Sequence, residues 1–332
     1  MTTAETAESQ PEEVSQPEPG RGGWRVVAGK ELADHLYSGR FIVLLGLLGI
    51  ATAAAVFAAS GGIREVAPDA DGITALFLKL FTVTTDPVPF PLIIFVSLLA
   101  PLLGIMFGFD SINGERAQGT LPRLLSQPIH RDEVILGKFM AGVAVIAIML
   151  TSLVIFVAGI GIFRLGLTPS VTDVSRLLVW LVFAIVYVAF WLGLATLVSV
   201  RTNRAATSAL IPVGVWLVLA LFGGFIFGAV ADILSPDDGT QAGLIQNART
   251  EHLLSQLSPI TLFQEGSTVL LDPEVRTTGL LTLEQVDRAL VSELNLAQSL
   301  GVVWPQMVVL LAMTSAMFAL AYVSFMRQEV RA

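Results

Sequence analysis

Phosphate chemistry needs a loop of the form G-x-x-x-x-G-K-[ST], whose amides wrap a phosphate and whose hydroxyl reaches magnesium. Two stretches come near it. Residues 23–31 read GWRVVAGKE, with the glycines one residue too far apart and Glu31 where the hydroxyl belongs. Gly137–Lys138 is followed by Phe139. Hydrolysis of ATP by this chain is therefore not expected, and neither is a bound cofactor. Glu31 and His35 stand four residues apart, one helical turn, which is ligand spacing. No second pair accompanies them, so a solvated helix face is the expectation. His130 and His252 are isolated in the sequence. There is no cysteine, which excludes disulfides and thiolate sites. No serine sits in a motif for nucleophilic catalysis. The residue types point to no catalytic, cofactor or metal site.

What the chain has in quantity is apolar length. Of 332 residues, 54% are hydrophobic and 14% charged, against about 25% charged in soluble domains. The mean hydropathy is +0.75. Long uncharged runs predict helices, because lipid offers backbone amides and carbonyls no partner and each run must satisfy its own. Six runs qualify: 41–59, 90–109, 139–163, 177–200, 207–231 and 302–325. The shorter patch 76–83, interrupted by Lys79, reads as an interfacial element. Residues 1–22 are rich in Glu, Pro and Gln and predict a disordered tail. Residues 23–40 predict an amphipathic interfacial helix, with Trp24, Val27, Ala28, Leu32 and Leu36 at helical spacing. Residues 41–332 form the six-span domain. The expected fold is thus all-α and integral to a membrane.

Charge orients it. With the N-terminus inside, inner segments hold twelve Lys and Arg and outer segments seven, three of which lie in one long loop. Both termini are expected to be cytoplasmic, which requires an even number of spans. The long outer loop, 232–301, carries ten acidic residues and apolar stretches, and short helices dipping toward the bilayer fit it. No ionisable residue falls mid-span, which argues against an ion-coupled carrier. Gly224-Phe-Ile-Phe-Gly228 in the fifth span is a close-approach pattern, for a second copy or for internal packing.

The informative loop is 110–138, between the second and third spans. Its physics predicts a charged cytoplasmic excursion with short helical pieces broken at Pro122 and Pro128. Leu121, Leu124 and Leu125 give one piece an apolar side, and Asp132 and Glu133 open the next helix. Three runs stand out. They are Glu115-Arg116-x-x-Gly119-Thr120-Leu121, then Leu124-Leu125-Ser126-Gln127-Pro128-Ile129, then Arg131-x-Glu133-Val134-Ile135-Leu136-Gly137-Lys138.

These runs, in this place among the spans, resemble the ABC type-2 permease family, and especially the subgroup that includes the permease of nitrous-oxide-reductase clusters. The resemblance covers about residues 24–330. It implies a permease subunit, exporter-like, in a prokaryotic cell membrane. It implies an ATPase on a separate chain that carries ATP and magnesium, and a second permease copy as homodimer or heterodimer. It implies that Glu115, Arg116, Gly119, Thr120, Leu124, Leu125, Pro128 and Arg131 form the region that couples to the ATPase. Membrane lipid is the other expected partner, and nucleic acid is not one. Two other classes compete: a non-transporting scaffold or sensor, which would use the acidic outer loop, and a lipid-modifying enzyme, which would need a His, Asp or Glu cluster at one membrane face.

Overall fold

The computed structural model describes residues 22–66, 76–83, 90–121, 129–236, 239–275 and 294–328. Leu124, Leu125 and Pro128, the tail before residue 22 and the acidic residues of 276–293 lie outside the described residues. The helices are α1 (Gly23–Leu36), α2 (Gly39–Val66), α3 (Lys79–Thr82), α4 (Leu92–Gly108), α5 (Asn113–Ala117), α6 (Arg131–Ile160), α7 (Val171–Arg201), α8 (Ala205–Leu234), α9 (Gln241–Ser255), α10 (Pro259–Leu271) and α11 (Leu296–Met326). Among the described residues there is no strand. Among the described residues, six helices are long and apolar enough to cross a membrane, and they are the six apolar runs: α2, α4, α6, α7, α8 and α11. Most extend past their runs. The α6 helix begins at Arg131, eight residues before its apolar stretch, and ends in a π turn over Gly161–Leu165.

The bundle has a centre and a rim. In α7 and α4, 67% and 61% of the apolar stretch is buried, but in α8 only 11%. The central crossing of α4 and α7 rests on small residues. A Cβ on Gly104 would lie 2.5 Å from the carbonyl oxygen of Val188, and one on Gly108 would lie 2.8 Å from Ala195 Cβ. Only glycine lets the two backbones come this close. The helix α4 also contains Pro101, which has no amide to give to the carbonyl of Ser97. Tyr187 of α7 supplies the missing donor, its hydroxyl lying 2.6 Å from that oxygen. A freed backbone group inside the apolar layer is thus paired again, as it must be.

Two segments outside the six spans complete the core. Phe77, Leu78, Leu80 and Phe81, at and before α3, are at most 2% exposed. They plug the end of the bundle remote from α1 instead of lying along its surface, and Lys79 reaches out to Asp272 at 3.3 Å. Within the segment read as an outer loop, α10 enters the bundle. Ser258 caps it and Pro259 starts it, so a dipeptide that signals a turn here also signals a helix start. Nine of its thirteen residues are buried. Phe263 stacks on Tyr187, ring centroids 4.3 Å apart. Ser267 accepts from Trp180 Nε1 at 2.9 Å, and Gln264 donates to Ser97 Oγ at 2.8 Å. The C-terminal carbonyls of α10 are held by Arg176, itself 1% exposed. Its guanidinium donates to the oxygen of Leu270 at 2.9 Å, to Ser299 Oγ at 3.1 Å and to the oxygen of Leu294. A cation at a helix C-terminus is favoured by both the open carbonyls and the dipole.

Candidate coupling site

The conspicuous sequence motif assembles at the α1 end of the bundle. Helix α5 has five residues, too short to stand alone, and is held at both ends. At its start, Ser199 of α7 accepts from the amides of Ile112 and Asn113 at 3.1 and 3.2 Å. At its finish, Gly119 N–H donates to the carbonyl of Arg116 and Thr120 N–H to that of Glu115. This pair of bonds stops a helix with one left-handed residue, and Gly119 has φ of 68°. The Gly-Thr of the motif is therefore a stop signal, and it turns the chain so that Leu121 is buried at 1% exposure. Residues 117–120 are the exposed tip of the turn.

Glu115 and Arg116 point in different directions. The Glu115 carboxylate lies 2.5 Å from Nζ of Lys138 on α6, and the same Nζ lies 2.9 Å from Glu31 on α1. Lys138 is 6% exposed. One buried ammonium thus joins three separate elements, each carboxylate partly in reach of water. The neighbouring Gly137 makes room for it: a Cβ there would lie 2.7 Å from Val27 Cβ and 2.8 Å from the oxygen of Trp24. A side chain at position 137 would push α1 away from α6. The start of α6 holds α1 a second time, because the Glu133 carboxylate accepts from the amides of His130 and Gly22.

Arg116 turns to the opposite side. It donates to Asn203 Oδ1 at 3.1 Å, between α7 and α8, and to Gln328 Oε1 at 2.6 Å, just past α11. Arg131 donates to the carbonyls of Phe325 and Gln328 at the end of α11. Arg40 at the start of α2 pairs with Asp110 after α4 at 2.7 Å. The motif therefore reaches α1, α6, the α7–α8 turn and the end of α11. Between α1, α5 and α6 lies a polar cleft of about 500 Å³, lined among others by Asp34, Arg40, Asp110, Gln118 and Lys138.

The sequence reading named Glu115, Arg116, Gly119, Thr120 and Arg131, and the structure places all five at this end. It did not name Glu31, Lys138, Gly137, Ser199 or Gln328 as partners. Glu31 and His35 do not converge on a ligand. Glu31 goes to Lys138, and His35 meets the ring of Phe107 edge-on at 5.0 Å. Burial pushes the pKa of His35 below the ordinary imidazole value, outweighing the attraction of Glu31. His252 is not isolated in space either, because it faces Glu265 at 3.5 Å. Among the described residues, no group of three or more His, Asp or Glu is arranged to hold a metal ion.

The charged groups at this end tie helix ends together. The probable ABC transporter permease protein NosY of Pseudomonas aeruginosa is 27% identical over 207 residues, 59% of this chain and 66% of the relative. The protein of the same description from Stutzerimonas stutzeri matches with the same identity and coverage. The aligned part spans just under two thirds of each relative's own length. A family model described as ABC-2 family transporter protein matches residues 25–330. This multi-pass membrane chain belongs to the ABC-2 family of transporter proteins.

Proposed function

We propose that this chain is the membrane permease of an ATP-driven exporter whose ATPase is a separate subunit, and that the ATPase docks at the α1 end, on the cytoplasmic side. The observation that carries the reading is the buried Lys138, bonded at once to Glu31 of α1 and Glu115 of α5. A load applied to the exposed tip at 117–120 passes through this ammonium to α1 and α6. It passes through Arg116 to the α7–α8 turn and to the end of α11. The residues implied by the resemblance then divide their work. Glu115, Arg116 and Arg131 transmit, Gly119 and Thr120 shape the tip, and Leu124, Leu125 and Pro128 keep the coupling role that the resemblance implies.

The excess of Lys and Arg on segments at this end supports a cytoplasmic α1 end and cytoplasmic termini. A second permease copy fits the exposed rim helix α8. The cell membrane of a prokaryote is the location this reading requires. The test is purification of the tagged chain from native membranes, with identification of co-purifying chains and assay of ATPase activity. Recovery of a soluble ATPase, lost in Gln118→Trp, which fills the tip without touching the packed side chains, is the expected result. Recovery of the chain alone from several detergents would overturn the reading.

A further inference from the structure

At the far end of the bundle, Glu265 joins elements that otherwise pack apart. Glu265 sits on α10, next to Gly266, against which the ring of Phe183 packs. Phe183 is twelve residues into α7, roughly 18 Å at 1.5 Å per residue. The apolar run of α7 begins at Leu177, so Phe183 lies about 9 Å inside it, in the outer part of the apolar layer. A carboxylate at such depth faces protein or water, not lipid tails.

Its contacts cross between two bodies. Gln256 Nε2, just after α9, donates to Glu265 at 2.8 Å, and His252 of α9 lies 3.5 Å from the other oxygen. Gln306 of α11 donates from the opposite side at 3.3 Å. Helix α10 is core. Helix α9 is not: it has no buried residue, and it packs mainly on α8. That attachment is polar, with Asn247 donating to Asp232 at 2.8 Å and to the carbonyl of Ser235 at 2.9 Å. Thr250 bonds Ser235 at 2.9 Å, and Glu251 lies beside Gly228. Helices α8 and α9 therefore form an arm, with α8 the least buried span. Of the other charged groups on the arm, Asp232 and Glu251 are turned within the arm itself and Arg249 is exposed.

We propose that Glu265 is the clasp of a far-end gate, fastening the α8–α9 arm to the core of α7, α10 and α11, and that its release lets the arm swing during transport. The clasp is a property of the chain alone. Its use as a gate rests on the transporter reading.

The test is hydrogen exchange, read by mass spectrometry, on the full chain in lipid nanodiscs. In Glu265→Ala, exchange across 241–255 rises by about tenfold, the scale of a local opening, and 259–271 stays protected. Glu265→Gln, which keeps the shape and removes the charge, moves the same way by less. Gln306→Ala, which bonds Glu265 from the core side, leaves 241–255 unchanged. Unchanged exchange over 241–255 in Glu265→Ala overturns the clasp, and so does melting of 259–271 along with it. With the co-purified ATPase and Mg-ATP, exchange over 241–255 rises in the parent chain. If it does not rise, the gate is overturned and the clasp stands. If no ATPase co-purifies, the transporter reading fails while the comparison of variants still decides the clasp.

Discussion

The two ends of the bundle are built by different chemistry. At the α1 end, helix termini are joined by full charges: Lys138 with Glu31 and Glu115, Arg40 with Asp110, and Arg131 with the carbonyls of Phe325 and Gln328. At the far end, the closure is built round an apolar plug of Phe77, Leu78, Leu80 and Phe81 beside α10, tied by neutral hydrogen bonds as well as by Lys79 with Asp272 and Arg176 with the carbonyls of Leu270 and Leu294. Charge works over a distance and in water, so the α1 end can tolerate a cleft. Dispersion and neutral hydrogen bonds need contact, so the plug itself is closely packed.

The comparison is most sharply broken at Lys138. Lys138→Met leaves Glu31 and Glu115 facing each other without their common cation. Removing one partner of a buried ion pair costs about 3–5 kcal/mol. Thermal unfolding in nanodiscs should show that loss, and hydrogen exchange should rise over 23–36 before it rises at the far end. A uniform rise would mean that the charges at this end are not what holds α1. At the far end, Arg176→Leu strands the carbonyls of Leu270 and Leu294. The expected cost is about 1–3 kcal/mol, with exchange rising over 268–275 and 294–300 and α1 untouched.

Between the ends, two glycine pairs invite a direct contrast. Gly104→Val must move Val188 and Leu192 and should destabilise by about 1–3 kcal/mol, as overpacked cores do. Gly224→Val meets nothing within 4 Å and should leave the melting temperature of the single chain unchanged. A loss at position 224 equal to that at 104 would show that α8 is packed more tightly than its exposure indicates.

The smallest effect is at His35. Its pKa is depressed, so the neutral form is favoured in the folded chain. The stability this contributes is present above the unfolded value of 6.5 and is lost as pH falls through the lower folded value. Melting temperature should therefore drop between about pH 7 and pH 5, and His35→Gln should flatten that part of the profile. An identical profile in the variant would remove His35 from the account.

Legibility followed locality. The six apolar runs were readable because each satisfies its own backbone and needs no distant partner. Gly119 was legible only through the family resemblance, and the turn it makes, with bonds joining residues three and five apart, came from the structure. The pattern Gly224-x-x-x-Gly228 was as readable as the runs, but within the chain a Cβ on Gly224 meets nothing and one on Gly228 meets Glu251 at 3.5 Å, because a glycine pair states that close approach is permitted and not that it occurs. Gly104 and Gly108 carry the same spacing and make the tight crossing.

Sequence alone determined that this chain lives in a membrane, how many times its apolar runs cross it, and which short segment departs from a plain connecting loop. Each of those rests on interactions between near neighbours or with solvent. The tertiary structure decided what Lys138 binds, which glycines meet a helix, and that α10 belongs to the core. It also decided that His252 and Glu265 meet. These rest on pairings between residues tens to hundreds of positions apart, and the spacing of residue types along the chain carries no record of them.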